Sequence, residues 1–317
     1  MKNPGLVEIR YSTTLSKSIF YFGNLLFIFA EKNNMNFKIF ISGLILVSSF
    51  WGCKKSSEPV QLDTESQTAI DYSICEKEFS QVGPTATNLV IKTKSSPPRL
   101  MQGFSGILST CDTLTWIAGD TLWTSPTHEN PVYEYDFGTC GGYMFDGVPR
   151  SGKWRLTFRN GGIKKPGSSI LIQLINYKLG TVSYSADSIV FKSGGTNNGV
   201  FTYTMNVYNA VCSAPSWTIS YNSSRSVSVD TKNTNDPSDD VVTIVSGTAN
   251  GKNRENRSFE VNITNLEKPT SCKYITKGTV SITPSGLKPR TINYGDGTCD
   301  NKATISVGGN VFEITLN

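Results

Sequence analysis

The sequence predicts an all-β protein, an antiparallel sandwich or open curled barrel preceded by one short helix. Three observations carry this expectation. From residue 88 onward, apolar side chains recur at every second position; clusters of Gly, Asn and Ser interrupt them at short intervals; and the charged content is only 17% against 38% hydrophobic and 11% aromatic. Such a composition suits half-buried sheets rather than a disordered chain, which would have too few aromatics to offset chain entropy.

The chain opens with two apolar runs. The second follows Met35 and Lys38, extends over 39–50 and ends in Phe50-Trp51-Gly52-Cys53, ahead of the polar Lys54-Lys55-Ser56-Ser57-Glu58. About 12 apolar residues are too few to span a bilayer core as a helix but suit the h-region of a signal peptide. A small residue before Cys53 resembles a lipobox, so 35–52 reads as a lipoprotein signal peptide and Cys53 as the lipidated mature N-terminus. Trp51 departs from the small residue usual at that place. The earlier run, 19–30, falls in 1–34, an upstream extension if Met35 is the true start; a membrane hairpin built from both runs is the rival. Residues 53–63 form a tether.

Next comes the helix, over 64–82. Thr64 would cap it, Ala69, Tyr72, Cys75 and Phe79 recur at three- and four-residue steps, and Gly83-Pro84 should stop it. The β-region is 84–317. Trp154, Leu156 and Phe158 alternate with Lys153, Arg155 and Thr157; Phe201, Tyr203, Met205 and Val207 with Thr202, Thr204 and Asn206; Phe259, Val261 and Ile263 with Glu260, Asn262 and Thr264. Asn160-Gly161-Gly162, Ser285-Gly286 and Gly308-Gly309-Asn310 are turns.

Beyond Cys53 lie six cysteines, Cys75, Cys111, Cys140, Cys212, Cys272 and Cys299, an even count that reads as disulfides in an exported chain. Pairing 113–118 antiparallel with 132–138 so that partner numbers sum to 251 sets Leu114, Trp116 and Ala118 opposite Phe137, Tyr135 and Tyr133. It also sets Cys111 opposite Cys140. Cys272 and Cys299 centre on the Ser285-Gly286 turn. Their faces agree only if one bulge, on the first strand near Gly278, shifts the register. Cys75 and Cys212 pair by elimination. Zinc is disfavoured, since there is no Cys-x-x-Cys and His128 is the only histidine. Both hairpins close on Gly-Thr-Cys, at Cys140 and at Cys299, which suggests a duplication with sub-units 84–212 and 213–317.

The stretch from Gly247-Thr248-Ala249-Asn250-Gly251 through Tyr294-Gly295-Asp296-Gly297-Thr298-Cys299, with Asp136-Phe137-Gly138-Thr139-Cys140 and Arg150-Ser151-Gly152-Lys153, resembles a group of uncharacterised Bacteroidota outer-membrane lipoproteins. The resemblance covers most of the chain from Ala69 onward. It implies an outer-membrane-anchored β-protein facing periplasm or cell surface, and no activity. In that setting Asp112-Thr113-Leu114, Asp120-Thr121-Leu122 and Asp187-Ser188-Ile189 resemble O-glycan acceptors, at Thr113, Thr121 and Ser188.

Chemistry is hard to find. There is no phosphate-cradling loop, His-Glu-x-x-His or nucleophile elbow, and no catalytic residue or cofactor is assigned. Glu134 and Asp136 share a strand face, as a glycosidase pair would, but Lys153 and Arg155 alternate on a nearby strand and make cross-strand ion pairs the simpler reading. The segment 230–240 is rich in Asp yet lacks the order of a calcium loop, and Asp296 with Asp300 suits a tight turn. Trp116, Trp123, Trp154 and Trp217 could line a sugar platform, but Trp116 and Trp154 fall on core positions, and only Trp123 is left as a surface contact. Residues 1–52 hold five basic and two acidic side chains, leaving 25 and 23 elsewhere, a net charge of +2. No field for nucleic acid results. The expected function is a lipid-anchored envelope protein with a structural or partner- or glycan-binding role. The alternative is a hydrolase of surface or environmental polysaccharide.

Overall fold

A computed structural model describes residues 17–22, 25–30, 63, 65–94, 113–119, 131–138, 142–143, 149–163, 165–234, 236, 238–272 and 274–316. β1 (Lys17–Phe22) and β2 (Leu25–Ala30) pair antiparallel as a separate two-stranded sheet that overlaps the earlier apolar run. The signal segment, Cys53 and most of the tether lie outside the described residues. Then come α1 (Gln67–Lys94), β3 (Thr113–Ala118), β4 (Val132–Asp136), β5 (Gly142–Tyr143), β6 (Pro149–Arg159), β7 (Ser169–Leu179), β8 (Val182–Ser185) and β9 (Ser188–Asn197). β10 (Val200–Ala214), β11 (Trp217–Asp230), β12 (Val241–Lys252), β13 (Ser258–Pro269), β14 (Lys277–Pro284), β15 (Arg290–Asp296), β16 (Lys302–Val307) and β17 (Asn310–Thr315) complete the chain.

β3 to β17 form one antiparallel sheet of fifteen strands, largely a meander, with β17 at one end of the order and β3 at the other. The expected class holds, as an open sheet rather than a closed barrel. The alternation does what it predicted. Trp154, Leu156 and Phe158 are buried, as are Phe259, Val261 and Ile263, and they join one core that includes the helix.

The sheet curls because its long strands are bulged. Asn176 in β7, Asn209 in β10 and Asn265 in β13 take left-handed φ values of 49°, 48° and 46°. At each, two residues oppose one on the next strand: Gly152 on β6, Asn222 on β11 and Gly278 on β14. An extra residue bends its strand and increases local twist. Gly278 carries bulges on both sides, since Tyr294 and Gly295 on β15 also face it alone. The irregularity expected at Gly278 is there, but the extra residues sit on the flanking strands and not on β14 itself. A Cβ at Gly278 would come within 2.1 Å of the Asn265 carbonyl oxygen at φ +102°, so only glycine fits.

α1 lies against β7, β9, β10, β11 and β14. The Glu65 carboxylate caps it, accepting from the Thr68 N–H at 2.7 Å and its hydroxyl at 2.8 Å. The helix does not stop at Gly83-Pro84; it continues to Lys94. Tertiary packing overrides the breakers there: a Cβ at Gly83 would sit 2.8 Å from Met205 Sδ, so the glycine permits close approach to β10 instead of ending the helix. Ala69, Tyr72, Cys75, Phe79, Val82 and Ala86 are buried, with Thr68 on the same stripe, but so are Asp71 and Glu78 on one flank of it and Glu76 on the other. The curled sheet encloses the helix on more than one side.

Two expectations about β3 need correction. β3 and β4 pair with Leu114 opposite Tyr135 and Trp116 opposite Tyr133, so partner numbers sum to 249, two residues from the expected register. The facing sets keep the same parity, which is why hydrophobic pattern alone did not distinguish the two. Trp116 is not core: it is 51% exposed, because β3 is the edge strand and no further strand is hydrogen-bonded to its outer side among the described residues. A boundary between 212 and 213 falls inside β10, with β11 paired along nearly its whole length.

Candidate functional site

The interior between helix and sheet holds most of the buried charge. Helices rarely bury carboxylates unless these are paired, and α1 buries Asp71, Glu76 and Glu78. Glu76 accepts a hydrogen bond from the Tyr221 hydroxyl at 2.6 Å and pairs with Arg225 Nη2, which also donates to the Tyr221 oxygen at 2.6 Å. Glu78 accepts from the Tyr177 hydroxyl and pairs with Arg150 Nη2 at 3.3 Å, while Arg150 Nε donates to the Tyr177 oxygen at 3.0 Å. Two Glu–Arg–Tyr clusters therefore join α1 to β11 and to β6–β7.

At the start of the helix Asp71 accepts from the Arg254 backbone N–H at 2.7 Å and from its Nε at 2.8 Å. Arg290 reaches Asp63 Oδ1 at 2.6 Å and donates through Nε to the Glu65 carbonyl at 2.9 Å. Arg150, Arg225 and Arg290 are each no more than 2% exposed. Burial pushes the Tyr221 and Tyr177 phenols far above their ordinary range, with Glu78 adding to it for Tyr177. Both remain protonated donors, unfit as bases. Burial likewise takes Tyr203 up to about 12. Chemically this interior is a clamp, with each of these carboxylates opposite a guanidinium.

The sequence assigns none of these arginines a role, although Arg150 stands in one of the motifs that carry the family resemblance. A signal existed: Arg225 shares its strand parity with Tyr221 and Val227, and Arg290 shares its parity with Ile292 and Tyr294, so alternation places both inward.

The carboxylate pair on β4 is outside this interior. Tyr133, Tyr135 and Phe137 point into the core, leaving Glu134 and Asp136 on the opposite face. Glu134 accepts from Lys153 Nζ at 2.8 Å and from Arg155 Nη2 at 3.0 Å, and Lys153 lies 3.2 Å from Asp136. Those hydrogen bonds, from Lys153 first, hold the Glu134 carboxyl below its usual range; the Gly138 N–H does the same for Asp136. Both stay ionised, and neither is poised to donate a proton.

The acidic loop satisfies itself. Asp230 accepts from the Lys232 backbone N–H at 2.9 Å, Asp236 from the Ser238 N–H at 2.9 Å, and Asp239 from the Thr234 hydroxyl at 2.9 Å. Asp296 and Asp300 close turns onto the N–H groups of Thr298 and Lys302. Among the described residues no three His, Cys, Asp or Glu side chains gather as a metal site would need.

Among the described residues two cysteine pairs are joined, Cys75–Cys212 with Cα atoms 6.3 Å apart and Cys272–Cys299 at 5.9 Å. The first ties the helix to β10, the second the β13–β14 and β15–β16 connections. Cys111, Cys140, Thr121, His128 and Trp123 lie outside the described residues. Thr113 is exposed at the start of β3; Ser188 is half-buried at the start of β9 beside an exposed Asp187. Trp154 is buried as expected, and Trp217 lies under the Arg254 guanidinium, 4.7 Å from its ring centroid.

Comparison with family models, with curated proteins and with solved structures returned no match.

Proposed function

We propose that this chain is a lipid-anchored protein of the bacterial outer membrane, of the Bacteroidota lipoprotein group whose motifs it resembles. It is tethered through Cys53 and acts by binding an envelope protein or glycan, or as a structural element, without catalysis. The observation that carries the non-catalytic part is the interior clamp. The curled side of the sheet is occupied by the chain's own helix, with Glu76 and Glu78 each held by an arginine and a tyrosine. The alternative, a polysaccharide hydrolase, needs one carboxyl raised to act as acid beside one ionised partner. Glu134 and Asp136 are both lowered and both held by Lys153. The anchor rests on the apolar run before Cys53 and the polar stretch behind it.

The test is metabolic labelling with an alkyne fatty acid in a Bacteroidota host, followed by membrane flotation. The wild type should carry label and float with outer membrane, and Cys53→Ala should lose the label. A wild type that stays unlabelled and soluble would sink the proposal. Release of reducing sugar from envelope polysaccharide, abolished by Glu134→Gln, would favour the hydrolase instead.

A further inference from the structure

We propose that one end of the sheet is a membrane-facing surface that meets anionic phospholipid headgroups; this rests on the lipid-anchor reading above. The two ends of the antiparallel sheet differ in charge. At one end lie the β10–β11, β12–β13, β14–β15 and β16–β17 turns, and side-chain contacts make them contiguous. Arg254 stacks on Trp217, Arg257 Nη1 donates to the Ser285 carbonyl at 3.2 Å, and Lys288 lies against Gly308. Lys252, at the end of β12, and Lys288 are exposed, and Arg254 and Arg257 half-buried; the turns themselves carry one carboxylate, Glu255, while Asp71 of the helix pairs with Arg254. The opposite end carries Asp230, Asp236, Asp239, Asp240, Asp296 and Asp300 in its turns and strand ends, against Lys232, Lys277 and Lys302 there.

The helix starts at the basic end. Asp71 binds Arg254, Thr68 accepts from Asn253, and Asp63 binds Arg290. The tether therefore joins the fold there, with Lys54 and Lys55 directly behind Cys53. The ten residues 53–62 reach at most about 35 Å, so lipidation keeps this end near the bilayer. Basic side chains are drawn to anionic headgroups within a Debye length, and a Trp beside them suits the interface. The acidic end is repelled and faces away.

The experiment is hydrogen exchange on the lipidated full-length protein in nanodiscs of phosphatidylcholine alone or with about 30% phosphatidylglycerol, a content chosen to set an anionic surface. Anionic discs should slow exchange in the turns 215–216, 253–257 and 285–289 by about fivefold or more, and leave 231–240 and 296–301 unchanged. High salt should remove the effect. Lys252→Glu with Lys288→Glu should abolish it, whereas Lys232→Glu with Lys302→Glu at the far end should not. Equal exchange in both discs, slowing at both ends, or an unaffected Lys252→Glu/Lys288→Glu protein would overturn the inference. Fatty-acid labelling reads the anchor separately: labelled protein without slowing defeats the membrane-facing surface alone, and unlabelled protein defeats its premise.

Discussion

Arg225 and Glu76 show at the scale of single residues what the interior is for. A buried ion pair offers little net stability, because desolvation offsets the Coulomb attraction, but breaking one is costly. Arg225 still has Nε and Nη1 without a partner among the described residues, so the pair is not fully satisfied there. Glu76→Gln or Arg225→Met alone should therefore cost about 3–5 kcal/mol, and Glu76→Leu with Arg225→Met much less than the two summed. Urea denaturation of the four proteins measures this; additive losses would show the pair to be independent contributors. Glu134 behaves differently. Its folded carboxyl is lowered by Lys153 and Arg155, so its contribution is present above the unfolded value and lost as pH falls through the folded one. Both cations are substantially exposed, which limits the pair to about 1 kcal/mol. The difference between wild type and Glu134→Gln should be visible at neutral pH and vanish in acid. A difference that persists when the carboxyl is protonated would mean packing, not charge, is responsible. The Glu134 pairing was legible from alternation alone, since Lys153 and Arg155 repeat its period. The interior clamp was not, because helix periodicity marks apolar positions, and Asp71, Glu76 and Glu78, on the two flanks of the apolar stripe, look solvated until a sheet covers them.

Among the elements, the strands were legible and their ends were not. Period-two patterning identified β6, β10 and β13, because one face of each meets the core and the other meets water. The helix ran past Gly83-Pro84 because Met205 and Phe191 pack where those residues lie, information that sits more than a hundred positions away in the chain. The β3 register was missed by two residues since a shift of two preserves both faces. Glycine at the double bulge is an element-level requirement: Gly278→Ala meets the Asn265 carbonyl and a left-handed φ together, and should cost at least about 2 kcal/mol. Chemical denaturation checks it against Gly286→Ala, at a turn with open space around it, which should cost less. The disulfides act at the same scale. Cys75–Cys212 spans 137 positions and Cys272–Cys299 only 27. In the chain-entropy model the first restricts the unfolded chain by about 5 kcal/mol and the second by about 3–4. Paired Cys→Ala variants should rank in that order by denaturation midpoint. The reverse order would place the larger effect in native packing.

For the whole molecule, the question is whether the repeated Gly-Thr-Cys closures mark two folding units. The helix argues for one. Its carboxylates divide between strands on both sides of residue 212, Glu78 with Arg150 on β6 and Glu76 with Arg225 on β11, and just before the helix Asp63 pairs with Arg290 on β15. A chain ending at 212 would leave Glu76 without its cation, take β11 from β10 along that strand's length, and open an apolar inner face that β11 to β14 cover. Losing one partner of a buried pair alone consumes a large share of the 5–15 kcal/mol by which domains are stable. Truncation after residue 212, in a chain keeping its N-terminal half, should therefore yield protein without cooperative unfolding, with α1 cut rapidly by protease. The full-length chain should lose its helical and near-ultraviolet signals together on heating, because the same helix anchors both halves. Two separated transitions, or a truncated chain that melts cooperatively with α1 protected, would show that the duplicated motifs do mark separable units and that the clamp is dispensable to each.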